Sequence, residues 1–483
     1  MQRLISKYVV AAHLALLAVA PLFLFPYCGE GWTSAVLGWM SLMGLVWIIV
    51  GPSRWREERL HDARWRVAHG MMADPLFWIF VVLAVFAGLR WQNGGIAMAY
   101  DAETYRWFLH PSRVPIFPGV AEGHGLVEFW AVIATGVVVM GCRHALGRAA
   151  RASFLVYASM FSGLAGIAAA VAAYFGQSVA LEATKVLFRT PSFVGSVFGF
   201  YLLGGIVALV AVFEFKWTNL IFLFIIALGG TAAGLFFFAP VPVVVLFLVG
   251  FFLTLIVSLT WARRTMSTSD SFKCFVVLVS SILLAAVIVM GLSPEGMLES
   301  RLAVFEDWNV FPENFWDVRS RLSHIAAKVW REHPWLGSGL GSFPLDMRFN
   351  LKTADWATLD RAQTAVTSGW WTLIAERGIV GACAIAVPLA MMLVTYFRRF
   401  VGLFLSGEGF FFLPGCWLGL LAPCLAVAET FVDVSFLRPE SLMMFGAFLA
   451  IAANSFPLFT KKKRARAQDT VIQTDTTQEE SHG

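Results

Sequence analysis

The strongest constraint on this 483-residue chain is a succession of apolar runs, each nearly free of charge and long enough to cross a bilayer. A hydrocarbon core takes about 20 helical residues to span, and backbone placed there must bond within itself. Twelve such runs lie near 8–27, 32–51, 76–92, 126–142, 152–175, 195–213, 219–238, 242–261, 273–292, 370–396, 409–430 and 438–459. The expected fold class is therefore an all-α polytopic membrane protein with about 12 transmembrane helices. A large, partly helical outer-face loop would separate helices 9 and 10.

Composition agrees. Hydrophobic residues make up 58% and charged residues 14%, whereas soluble domains carry about 25% charged side chains. A soluble enzyme, a secreted disulfide scaffold and a disordered protein are excluded. Five of the six cysteines fall in apolar runs, and no CxxC or HExxH spacing occurs, so no metal or cofactor site is expected. The basic, apolar N-terminus has no convincing small-x-small cleavage site and reads as an uncleaved first helix.

Orientation follows from Lys and Arg, which stay on the cytoplasmic side of short loops. With the N-terminus inside, that side holds 21 of the 36 basic residues but only 11 of the 31 acids. Both termini are thus expected on the cytoplasmic side. The basic charges are spread over all the inner loops, as orientation requires, and do not form a nucleic-acid surface. After the membrane domain, residues 1–459, comes a tail of residues 460–483. It starts with the basic run KKKRAR, turns polar and reads as disordered.

Outer loops are expected at 93–125, 176–194 and 293–369, the last too long to be a bare connector. Within it, Leu322, Ile325, Ala326, Val329 and Trp330 fall at helical spacing in a segment from Arg319 to His333. Pro334 ends that helix. Gly337, Gly339 and Gly341 then alternate in HPWLGSGLGSF, a pattern that permits tight turns and close backbone approach. Downstream, TSGWWTLIAERGIVGACAIA carries an outer loop into the next apolar run.

This pair of segments, in this order and topology, resembles the core of the O-antigen ligase / Wzy-type polymerase superfamily over residues 319–383. An Arg-bearing helix leads there into a PxxGxGxGxF-like turn, matched by Pro334, Gly337, Gly339, Gly341 and Phe343. Gly378 and Gly381 match a GxxG that opens a membrane helix, with Glu376 in the frequently acidic place before it. Arg189 and Phe193, in RTPSFVGSVFGFYLL, match a weaker mid-chain motif without its asparagines. Two features depart from the family. Thr367 and Ser368 stand where a His-Asn/Ser pair is usual, and no Ser-Arg-Gly is found in the middle helices.

The resemblance implies transfer of a glycan from an undecaprenyl-diphosphate carrier, on the outer face, to a growing glycan, a lipid A core or a protein. It implies no cofactor and no nucleic-acid partner. A departing lipid diphosphate needs its charge neutralised, which arginine forks do bidentately. The candidate catalytic residues are Arg189, Arg319, Arg321 and Glu376; Arg319 and Arg321 are not separable on sequence. Glu376 is either an Arg partner that orders the site or a general base. Gly337, Gly339, Gly341, Thr367, Ser368 and Arg377 are candidate substrate-binding residues, and Thr367 and Ser368 also suit a helix cap. Arg438 is a further outer-face cation, while His324 and His333 are the nearest substitutes for the missing family histidine. Two other readings remain: a twelve-helix transporter or flippase of lipid-linked glycans, and a catalytically inactive relative.

Overall fold

The computed structural model describes residues 2–24, 30–50, 60–92, 98–101, 106–109, 124–179, 191–239, 241–293, 298–299, 303, 315–339, 343, 369–405 and 413–432. Arg189, Gly341, Thr367, Ser368, Arg438, the run 438–459 and the tail 460–483 lie outside the described residues, as does most of the three outer loops.

The described chain is a helical bundle. In order its helices are α1 (Gln2–Leu24), α2 (Glu30–Val50), α3 (Leu60–Met72), α4 (Pro75–Gln92), α5 (His124–Met140), α6 (Arg148–Val179) and α7 (Pro191–Glu214). They continue with α8 (Ile221–Phe238), α9 (Val241–Thr265), α10 (Thr268–Leu292), α11 (Phe315–Glu332), α12 (Gly369–Leu405) and α13 (Leu413–Val432). Eleven of the twelve apolar runs coincide with helices. Among the described residues, seven helices are long and apolar enough to cross a membrane. An eighth span arises if residues 65–72 and 76–92, bent by 70° at their junction, count as one. The sequence reading lacked two elements: helix α3, and a small antiparallel hairpin pairing β1 (Met98–Asp101) with β2 (Arg106–Leu109) in the loop after α4.

Helix α7 is the axis of this bundle. Of its stretch 195–213, 94% is buried, against 28% for the span of α10 at the periphery. Exposed Phe272, Phe275, Leu283, Val287 and Met290 cover the outward face of α10. Without a hydrophobic drive between helices in lipid, close contact depends on small residues and local hydrogen bonds. The α6–α8 crossing shows this: Gly163 and Gly166 face the backbone of Ala227 and Gly230, and Ser162 Oγ lies 3.0 Å from Thr231 Oγ1.

At the junction of α3 and α4 the buried Asp74 starts α4 by accepting the Leu76 N–H at 3.1 Å. Its other carboxylate oxygen takes Arg143 Nε at 2.7 Å and lies 2.8 Å from His144 Nε2. Both partners lie in the π-helical turn Gly141–Ala145 that closes α5. At the opposite end of α4 and α5 lies the candidate site.

Candidate functional site at a broken helix

Helix α11 is amphipathic, and the side it buries is the one its apolar spacing predicts. Leu322, Ala326 and Val329 pack with Phe343 and with Ala375 of α12, flanked by Ile325 and Trp371. The helix begins at Phe315, four residues before the expected start, and Pro334 follows its end. The chain then tightens into a turn in which the Gly337 N–H donates to His333 O at 3.1 Å.

Helix α12 is broken in its third turn. Gly378 has φ 64° and ψ −172°, a conformation that side-chain-bearing residues essentially do not adopt. A break strands carbonyls on one side and N–H groups on the other, and here the glycine turn supplies both sets of partners. Ser338 N donates to Ala375 O at 2.8 Å and Gly339 N to Glu376 O at 3.1 Å. In return, Ile379 N donates to Pro334 O at 3.0 Å and Val380 N to Trp335 O at 3.1 Å. The turn is spliced into the gap in the helix.

So close a union excludes side chains. Gly337 has φ 74°, and a Cβ there would overlap the Glu376–Arg377 peptide; a Cβ at Gly378 would overlap the Trp335 carbonyl. Gly381 has a different task. Its missing side chain clears room for the stem of Arg377, whose Cγ and Cδ would lie 3.5 and 3.6 Å from a Cβ there. Arg377 can then lie along the helix and reach sideways.

It reaches Glu128 near the start of α5, with Nη2 2.9 Å from Oε1 and both side chains buried. Beside this pair is Arg90, near the end of α4, with 0% exposure. Its Nη2 donates to Glu376 O at 3.1 Å, so two helices from the first half of the chain are tied to the break. The Glu376 carboxylate accepts the Phe343 N–H at 3.3 Å and thus also orders the segment after the turn. Arg90, Glu128, Arg319, Glu376 and Arg377 are each no more than 9% exposed.

The structure separates the two arginines of α11. Arg319 shares the buried stripe of Leu322, Ala326 and Val329 and is 5% exposed, whereas Arg321 points outward. Truncating Arg319 is therefore expected to cost more than truncating Arg321. We expect a clearly larger drop in unfolding temperature for Arg319→Ala than for Arg321→Ala, measured on the purified protein in detergent. His324 and His333 are exposed. Glu376, Arg377, Gly337 and Gly339 come together at the break.

Sequence reading missed Arg90 and Glu128. The available signal was a charge at each facing end of consecutive apolar runs, an expensive placement that marks buried polar contacts in membrane helices. Glu429 of α13, fully buried and accepting a hydrogen bond from Ser196 Oγ of α7, was missed for the same reason. Among the described residues no group of three or more His, Cys, Asp or Glu side chains is close enough to hold a metal ion. Comparison of the chain with protein-family models and with curated proteins gives no match.

Proposed function

We propose that this chain is a membrane glycosyltransferase of the O-antigen ligase and polymerase type. It acts on polyprenyl-diphosphate-linked glycan at the periplasmic face of a bacterial inner membrane, in cell-surface polysaccharide synthesis. The reading includes twelve spans, both termini in the cytoplasm and a periplasmic segment 293–369. The observation that carries it is the splice of the glycine turn into the break of α12, with Arg90 and Arg377 buried beside it. The two segments that bear the family resemblance meet there, backbone to backbone.

In the proposed reaction an acceptor hydroxyl oxygen attacks the anomeric carbon of the donor. The bond from that carbon to the diphosphate oxygen breaks, and its electron pair leaves with the lipid diphosphate. The arginines balance the charge that develops on the leaving group, an electrostatic effect worth several kcal/mol in a water-poor site. The acceptor proton passes to a carboxylate, for which Glu376 is the resident candidate.

One observation favours a second reading, a transporter or flippase: α12 is discontinuous, as substrate-binding helices of transporters are. Transporter breaks lie near the midplane and leave helix ends open to substrate. Here the glycine turn occupies the exposed backbone groups of the break.

The test is a deletion strain examined for surface glycan. Shortened chains mark a polymerase, and carrier-linked full-length glycan marks a ligase. Unchanged glycan with a transport defect overturns the enzyme reading.

A further inference from the structure

An apolar crevice of about 600 Å3 lies between α1, α6 and α8, within the range of about 300–1,000 Å3 usual for ligand pockets. Its walls include Tyr8, Tyr157, Phe161, Leu164, Leu223 and Ile226. Leu164 and Leu223 are 56% and 52% exposed, so the crevice opens sideways from the bundle. It is remote from the break in α12. Leu14 of α1 meets Gly141, at the end of α5 away from Glu128, and Tyr8 lies further toward the start of α1. On a membrane-spanning bundle such an opening faces hydrocarbon. An empty recess forfeits packing contacts, and an apolar one does not hold water. A hydrocarbon chain supplies the missing contacts.

The rim of the crevice carries a second feature. Trp217 sets its ring edge-on to Tyr8, with centroids 6.4 Å apart, and stacks on Phe215 at 5.2 Å. Tryptophan and tyrosine grouped in this way mark the level of lipid headgroups. Between the two stacked residues stands Lys216, exposed and with φ 56°, the one non-glycine among the described residues with positive φ. It closes α7 in a Schellman cap: Lys216 N donates to Phe213 O at 3.2 Å and Trp217 N to Val212 O at 2.8 Å. Glycine is the usual residue at that position, because a side chain there is strained. A lysine in a glycine's place lowers stability and contributes a cation. The fold does not consume that cation. The carboxylate it acts on, Asp270, already accepts from Ser267 Oγ at 2.9 Å and pairs with Lys273 Nζ at 3.4 Å. Among the described residues no carboxylate lies within ion-pairing distance of Lys216.

We propose that the crevice binds an anionic phospholipid, with one acyl chain between α1, α6 and α8 and the headgroup phosphate at Lys216. A neutral lipid would fill the crevice and leave the cation unanswered; a free anion would do the reverse. An anionic phospholipid satisfies both, and the aromatic residues at Tyr8 and Trp217 stand at the junction of its two parts. The site is separate from the break in α12 and does not rest on the glycosyltransferase reading.

The test is native mass spectrometry of the purified full-length protein in detergent. It is titrated with phosphatidylglycerol, with phosphatidylcholine of the same acyl chains and with inorganic phosphate. Wild type is expected to retain phosphatidylglycerol about fivefold more tightly than phosphatidylcholine, the effect of one lysine beside an anionic headgroup. Lys216→Gly is expected to lose that preference while its affinity for phosphatidylcholine stays the same. Because glycine relieves the strained backbone, the unfolding temperature of the lipid-free variant should equal or exceed that of wild type. Met160 also lines the crevice, and Met160→Trp, which fills the space with an indole, should weaken both lipids at least fivefold. Lys216→Gly decides the matter should Met160→Trp not fold. Equal affinity of wild type for the two lipids, or displacement of phosphatidylglycerol by phosphate, overturns the proposal. So does wild-type affinity for phosphatidylglycerol in Lys216→Gly or in folded Met160→Trp. A lowered unfolding temperature in Lys216→Gly would show that the lysine serves the fold, and overturns its assignment to the lipid.

Discussion

Gly378→Ala is expected to lower the unfolding temperature of the purified protein and, on the proposed function, to abolish surface-glycan formation. The backbone at this position, φ 64° and ψ −172°, costs about 1–3 kcal/mol for any residue with a side chain. A methyl group there also meets the Trp335 carbonyl carbon at 2.4 Å and Gly337 N at 2.5 Å. Relief requires the turn to back out of the break, which releases Ala375 O, Glu376 O, Ile379 N and Val380 N together. Buried backbone groups left unpaired cost about 1–3 kcal/mol each, so the union opens as a unit. Gly337→Ala acts from the opposite side, against the Glu376–Arg377 peptide, and is expected to give the same phenotype. The double variant should be little worse than either single one, because one opening relieves both clashes. Gly291→Ala is the control: nothing lies within 4 Å of a Cβ there, and both readouts should stay at wild-type values.

The second large effect concerns the Glu128–Arg377 pair. Its side chains are only 3% and 10% exposed, and the partners come from α5 and α12, far apart in sequence. Removing one member of a buried pair leaves an uncompensated charge and costs about 3–5 kcal/mol. Arg377→Met is therefore expected to destabilise the protein strongly, since Glu128 then lies buried with no cation of its own. Arg377→Met combined with Glu128→Leu should recover most of that loss, because replacing both charges with apolar groups is often neutral. Denaturant unfolding in detergent measures both. Recovered stability without recovered glycan formation would separate the structural task of Arg377 from its chemical one. Equal stability of Arg377→Met and wild type would show that the pair contributes nothing to the fold.

The sequence was most informative where a local rule governs. The helical character of the runs follows from the requirement that backbone in hydrocarbon bond within itself, and eleven runs coincide with helices. Apolar spacing in α11 named Leu322, Ile325, Ala326 and Val329, and these residues form its contact with α12. The alternating glycines marked a place of unusual backbone, and Gly337 and Gly339 have positive φ; that Gly378 shares this conformation was not read from the sequence. Spacing alone, however, suggested a flexible turn and a separate membrane helix. That the first inserts into a break in the second depends on hydrogen bonds between residues some forty positions apart.

Arg319 and Arg321 show the same division. Two arginines separated by one residue are equivalent in composition, and only the helix phase relative to α12 buries one and exposes the other. Arg90 and Glu128 were visible as charges at the ends of apolar runs, but their partners were not. By itself the sequence determined a helical membrane architecture, an uneven distribution of charge along the chain and the turn glycines where backbone departs from the ordinary. Those properties come from hydropathy, net charge and local sterics, which act over a few neighbouring residues. Tertiary structure alone decided that α4 and α5 meet α12 in one buried charge cluster beside the turn that follows α11, because pairing of charges in a low-dielectric interior is set by distance in space.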